Sequence, residues 1–194
     1  IEGGMVCTDD RETYNMLKSL RSHGWDRDMD PDFHSFFRQE YDVSEFESLY
    51  KFYNYGFNVR ATDLQAFLGI DQLKKLFFVT KQRNKNYNLY NKHLKNDYWM
   101  PLMSTDKMYI SNFAYPVLVT DREKLVKDLK NKKIAVRPLI SGSHGRQPFW
   151  TRHNGITKLK NADIVNDNGL YLPNNHEMKE KDIHLICSVI KKHF

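Results

Sequence analysis

The sequence predicts an α/β protein that ends in a small α/β domain, and three observations lead there. First, Gly56 to Leu76 carries a helix with its start written in. Thr62 and Gln65 have capping-box spacing, and Leu64, Phe67, Leu68, Leu73, Leu76 and Phe77 recur near helical spacing as one apolar stripe. Second, from about residue 108 the segments alternate as strand, helix, strand, short helix, strand and helix, the order of a small α/β unit. Third, hydrophobic residues, Cys and Met included, make up 40% of the 194 residues, enough to build a core and too many for a disordered chain.

The elements follow in order. Met5, Val6 and Cys7 read as a short buried strand after Gly3-Gly4. Asp9 or Asp10 caps a helix over Arg11 to Ser22, with Tyr14, Leu17 and Leu20 inward and His23-Gly24 as its stop. Trp25 to Tyr53 has no clean period and reads as a long loop with short helical pieces, a length usually tied to function. Helix continues from Lys81 to Leu94, with Tyr87, Tyr90 and Leu94 on one side. Strands follow at Tyr109-Ile110, at Phe113 to Thr120 and at Ala135 to Ile140. A capping box over Thr120 to Glu123 opens a helix between the last two, and Pro138 suggests an edge or strand end. Asn161 to Asn166 reads as a short helix, Gly169 to Leu172 as a strand stopped by Pro173, and Lys179 to His193 as the last helix.

Composition narrows the function classes. The formal charge is +6, but cations and acids are interleaved, as in Lys179-Glu180-Lys181-Asp182. That pattern reads as a mixed solvated surface, and it also suits a small anionic substrate, so no nucleic-acid partner is expected. No apolar run approaches the ~20 residues of a membrane span, so no membrane is expected either. Cys7 and Cys187 are isolated and the His are scattered, which points to a reducing compartment and to no metal site.

Two stretches could carry chemistry. Asn58 and Arg60 lie just before the capped helix; an amide and a guanidinium fork at a rigid helix start suit a bound anion. Spacing alone also permits a solvated loop with a surface Arg. The second stretch is Ser141 to Gln147, where two Gly, two Ser, His144 and Arg146 share a turn after a strand bearing Arg137. Exposed backbone amides and two Arg make an anion-binding concavity there. An ordinary polar connection fits the same residues.

Several phrases resemble one family. Glu2-Gly3-Gly4-Met5-Val6-Cys7-Thr8-Asp9-Asp10, then Leu20-Arg21-Ser22-His23-Gly24-Trp25-Asp26-Arg27, then Gly56-Phe57-Asn58-Val59-Arg60 run in its order. Gln72-Leu73-Lys74-Lys75-Leu76, Arg137-Pro138-Leu139-Ile140-Ser141-Gly142, Arg146-Gln147-Pro148 and Gly169-Leu170-Tyr171-Leu172-Pro173 continue it. The chain is similar to the DegT/DnrJ/EryC1/StrS sugar aminotransferases. Ile1 to Gly4 and the Arg21 to Arg27 phrase resemble most the branch containing GDP-4-keto-6-deoxymannose 3-dehydratase.

The resemblance implies a fold type I architecture dependent on pyridoxal 5′-phosphate or pyridoxamine 5′-phosphate. Residues 1–55 would be the end of the large cofactor domain, 56–107 the linking helices, and 108–194 the small C-terminal α/β domain. It implies cofactor binding by Asn58 and Arg60 across a homodimer with shared sites. Arg137, His144 and Arg146 would lie on the side of a nucleotide-sugar substrate, in a cytoplasmic enzyme of surface-polysaccharide synthesis. The catalytic Lys, or the His that replaces it in the dehydratase branch, would precede Ile1, leaving no catalytic residue in this chain and the fragment alone inactive. Transamination of a 4-keto-6-deoxy sugar, its 3-dehydration, and a non-catalytic anion-binding module are the functions to be separated.

Overall fold

The computed structural model describes residues 2–94, 102 and 104–193. The chain divides into two compact units, Ile1–Leu73 and Lys74–Phe194.

The first unit is helical. Helix α1 (Arg11–Leu20) starts as expected: the Asp10 carboxylate accepts from the Thr13 amide at 2.9 Å. Its buried face differs from the expected one. Tyr14 is half exposed, and the buried positions are Asn15 and Ser19. Asn15 faces inward because its amide is fully used: Oδ1 accepts from the Asp30 amide at 2.7 Å and Nδ2 donates to the Arg11 carbonyl at 3.0 Å. Asp30 thereby fixes the start of α2 (Pro31–Glu40), which has Pro at its first position. A one-turn helix α3 (Glu45–Ser48) follows with its own capping box. These helices are the pieces anticipated within Trp25 to Tyr53. Met5, Val6 and Cys7 form no strand; they are exposed, with no partner strand among the described residues.

Helix α4 (Asp63–Leu94) begins at the anticipated capping box, with the Thr62 amide donating to Gln65 Oε1 at 2.8 Å. Its apolar stripe is not core. Leu64, Phe67, Leu73 and Phe77 are each more than 60% exposed. The C-terminal part of the same helix is buried at Tyr87, Tyr90 and Leu94, as its period requires.

The second unit is a three-stranded antiparallel sheet with helices. Strands β1 (Ala114–Leu118), β2 (Arg137–Pro138) and β3 (Gly169–Pro173) are ordered β1-β3-β2, with Tyr115 opposite Leu172 and Arg137 opposite Tyr171. Helix α5 (Arg122–Asn131) is capped by Asp121, not Thr120, and packs beside α8 (Glu180–Ile190). The core joins Tyr87, Tyr90, Tyr115, Val117, Leu125, Leu129, Leu172, Ile183 and Ile190. Tyr90 stacks on Tyr115 at 4.7 Å and donates its hydroxyl to the Pro173 carbonyl at 2.8 Å. Cys187 is a free thiol in this core, and burial pushes its pKa up to about 12.

Three expectations change here. Tyr109-Ile110 is not a strand, and the strand over Ala135 to Ile140 shrinks to two residues, since Pro138 has no amide to extend a ladder. Helix α6 (Pro148–Asn154) lies mostly over residues the sequence reading left unassigned, between a first-position Pro and Gly155 at φ 68°. Helix α7 (Lys160–Asn168) is longer than expected and runs into β3.

Candidate functional site

In the first unit, Gly56 to Val59 lies back along the end of α1. Phe57 donates its amide to Leu20 and accepts from His23, at 2.6 and 2.7 Å, and Val59 donates to Arg21 at 2.9 Å. Asn58 sits opposite Ser22 in an isolated antiparallel bridge. The approach is closed by glycines. Gly24 has φ 86°, and a Cβ there would overlap the Asn54 carbonyl; one on Gly56 would overlap the Gly24 amide.

This crossing carries a buried indole. Trp25 is 8% exposed and donates Nε1 to Ser22 Oγ at 3.0 Å. Asp26 beside it is fully buried and paired through Oδ2 with Arg38 Nε at 2.7 Å. That pair raises the Arg38 pKa, and burial raises the Tyr53 phenol nearby. Two guanidiniums use the indole as a platform. The Arg27 Cζ lies 3.8 Å from the Trp25 ring centroid and 5.0 Å from that of Tyr50. The Arg60 Cζ lies 5.5 Å from the Trp25 ring, and its Nε donates to Asn58 Oδ1 at 3.4 Å.

Among the described residues, neither Arg27 nor Arg60 is paired with a carboxylate. Two exposed, pre-oriented guanidiniums and an amide lie together here without counter-charge, an arrangement whose donors can hold an anion such as phosphate. Sequence reasoning singled out Asn58 and Arg60 and did not single out Arg27 and Trp25, which the structure places beside Arg60. The available signal was Trp-x-Arg directly after the His23-Gly24 helix stop.

The second unit holds the other candidates. Gly142 has φ 68° and lies against the Asn166 side chain, whose Oδ1 accepts the Ser143 amide at 3.2 Å. Ser141 Oγ and His144 Nε2 are 2.7 Å apart, and Gln147 Nε2 donates to the Ser141 carbonyl at 2.6 Å. Arg146 is held by Asp167, with Nη1 2.7 and 2.9 Å from the two carboxylate oxygens. The hydrogen bonds from Arg146 hold the Asp167 carboxyl below its ordinary pKa. Both contacts use one nitrogen, so Nη2 and Nε of Arg146 remain for a further acceptor.

Arg137 lies on β2 and lines a cleft of about 340 Å³ together with Arg122, Glu123, Val126, Lys130, Pro138 and Leu170. The structure thus groups Ser141, His144 and Gln147 with one another, ties Arg146 to Asp167, and puts Arg137 in the wall of that cleft. Asn166 and Asp167 organise the loop; the short predicted helix ended at Asn166 and did not signal this role.

The DegT/DnrJ/EryC1/StrS aminotransferase family profile matches residues 1–191. The chain belongs to this family. It is 28% identical to a GDP-4-keto-6-deoxy-D-mannose 3-dehydratase from Yersinia pseudotuberculosis, over 99% of the chain and 50% of that protein. It is 30% identical to a UDP-4-amino-4,6-dideoxy-N-acetyl-beta-L-altrosamine transaminase from Campylobacter jejuni, over 93% of the chain and 45% of that protein. The solved E. coli GDP-4-keto-6-deoxy-D-mannose-3-dehydratase, which holds hydrated PLP, superposes with a TM-score of 0.73 at 25% identity, covering 94% of this chain and 48% of that one. The chain spans about half the length of the curated relatives it matches. The DegT/DnrJ/EryC1/StrS assignment carries the expected α/β fold with it.

Proposed function

We propose that the chain serves in a pyridoxal-phosphate-dependent enzyme acting on a nucleotide-linked 4-keto-6-deoxy sugar, with transamination as the first reading. The carrying observation is the pair Arg27 and Arg60 on the Trp25 indole, with Asn58 beside them and no carboxylate in the group. These residues fit a phosphate: they would hold that of the cofactor, or one of the substrate, by charge-assisted bonds worth about 1.5–3 kcal/mol each. The cofactor, when bound, supplies an electron sink at the sugar carbon that reacts.

What this chain's residues do is bind and orient. The Gly24–Gly56 crossing and the capped start of α4 fix Asn58 and Arg60 at small entropic cost. In the second unit, Arg137, His144 and the free face of Arg146 are assigned to the nucleotide-sugar side. His144 is oriented by Ser141, and Arg146 by Asp167.

The reading carries with it a cytoplasmic location and a homodimer with shared sites. Tyr50, Phe52, Tyr55 and Phe57, each more than 50% exposed around the anion-binding group, support an interface there. The similarity to GDP-4-keto-6-deoxy-D-mannose 3-dehydratases from two organisms supports a second reading, removal of the C3 hydroxyl.

One experiment separates them. The full protein is incubated with GDP-4-keto-6-deoxymannose and a ¹⁵N-labelled amino acid. Label entering the sugar nucleotide establishes transamination; a deoxygenated sugar without label establishes dehydration. An unchanged sugar nucleotide across both GDP- and UDP-linked ketosugars, with anion binding intact, would leave the non-catalytic module.

A further inference from the structure

We propose that Arg38 and Arg21 are positioning residues: each holds one of the two carboxylates that flank Arg27, and together they keep the Arg27 guanidinium free for an anion. The inference rests on the reading of Arg27 and Arg60 as an anion-binding pair. The sequence here is Trp25-Asp26-Arg27-Asp28, a cation with an acid on either side. Neighbouring opposite charges attract, and an Arg paired with its own neighbour has fewer donors left for a ligand. In the structure they do not pair. Asp26 turns inward, is fully buried, and sets Oδ2 2.7 Å from Arg38 Nε. An Asp28 carboxylate oxygen lies 3.6 Å from Arg21 Nη2. Arg27 stays exposed, over the Trp25 ring, with no carboxylate partner among the described residues.

The two holding residues come from different elements. Arg38 stands in the last turn of α2, and Arg21 directly follows α1. The Arg38 contact is the stronger one. Its partner has no exposed surface, so neither water nor salt weakens the pair much. Among the described residues Asp26 Oδ1 has no hydrogen-bond partner, so the buried carboxylate depends on Arg38. Without Arg38, the cation next to Asp26 in the chain is Arg27. A guanidinium drawn toward Asp26 leaves the indole face and turns its donors away from the anion. The Arg21–Asp28 pair is longer and both partners are exposed, so it has the smaller effect.

Calorimetric titration of the full chain with pyrophosphate at low salt tests this. Arg38→Gln is expected to weaken binding about ten-fold, and adding Asp26→Asn to it should restore affinity to within about two-fold of the wild type. Asp26→Asn alone should bind at least as tightly as the wild type, since Arg38 is partly solvated and keeps the attraction of Glu45. A pair that merely holds the fold gives the opposite pattern: both single variants weaken binding, and the double variant is no better. Arg21→Gln, at an exposed pair, should cost about two- to three-fold, restored by Asp28→Asn. Wild-type binding with no rescue of Arg38→Gln by Asp26→Asn overturns the inference and leaves the anion reading standing. Where Arg38→Gln does not fold, the Arg21 and Asp28 variants decide by the same rule. No saturable binding by the wild type removes both the inference and the anion reading.

Discussion

The guanidinium of Arg27 lies over the face of Trp25, 3.8 Å from the ring centroid, while the indole Nε1 on the ring's edge is held by Ser22 Oγ. The ring is therefore fixed before the cation arrives, and the cation keeps all five donors for a ligand. Arg27→Gln is expected to weaken pyrophosphate binding to the full chain by about ten-fold or more, the value of a lost charge-assisted contact. The loss should shrink as salt rises from low to physiological strength. Trp25→Phe, which keeps a ring, should cost less than Trp25→Leu. Equal losses for the two Trp25 variants would show that the aromatic platform plays no part.

How much of this was legible in the sequence depends on whether a residue's role is local. The Thr62–Gln65 box, the Asp10 cap and the His23-Gly24 stop are short-range, and all three stand in the structure. Asn58 and Arg60 could be singled out as candidates because they directly precede a readable helix start. Arg27 was not, because its meaning comes from a ring platform that only the folded crossing of residues 22–25 with 56–60 creates. The apolar stripe of α4 misled for a related reason: a 3.6 period says that one face is apolar, not what covers it. Asn15 and Ser19 shifted the most buried face of α1 away from Tyr14, while Leu17 and Leu20 stay half-buried, because polar side chains with satisfied bonds bury as readily as apolar ones.

Gly24 and Gly56 should not tolerate a side chain. At Gly24 the backbone is left-handed, and a methyl would meet the Asn54 carbonyl; at Gly56 it would meet the Gly24 amide. Each Ala substitution is expected to destabilise the protein by about 2 kcal/mol or more in urea denaturation. Gly3→Ala, with open space around it, is the matched control and should change stability by less than about 0.5 kcal/mol. Similar stabilities for all three variants would refute the close crossing.

His93 makes stability depend on pH. Burial lowers its pKa, and His184, Lys191 and Lys92 add to the shift; the His184 ring lies 4.8 Å away. A folded pKa below the unfolded value near ~6.5 means that the unfolded chain takes up the proton first as pH falls. Its contribution is thus fully present above pH ~6.5 and is lost as pH drops through that value toward the lower folded pKa. The urea midpoint should fall between pH 7.5 and 5.5, and His93→Gln should fall less over the same range. Parallel curves for the two proteins would remove His93 as the source.

The final prediction joins Asn58 and Arg60 to the proposed dimer. Both side chains are exposed, both are fixed by the crossing with α1, and the aromatic residues around them are open to a partner surface. A site completed across a two-fold axis can be broken on either side. In a full-length enzyme, one subunit would carry Asn58→Ala with Arg60→Ala, and the other a disabled catalytic Lys or His. Each homodimer has two damaged sites. A mixed dimer has one site with both defects and one with neither, so mixing should recover up to half the wild-type activity per mixed dimer. Subunits carrying distinguishable tags would confirm by tandem purification that mixed dimers form. If they form and recover no activity, Asn58 and Arg60 act within their own subunit, or not on the cofactor at all. The two cases differ in one further measurement: pyridoxal-phosphate affinity of the double variant alone, which falls in the first and is unchanged in the second.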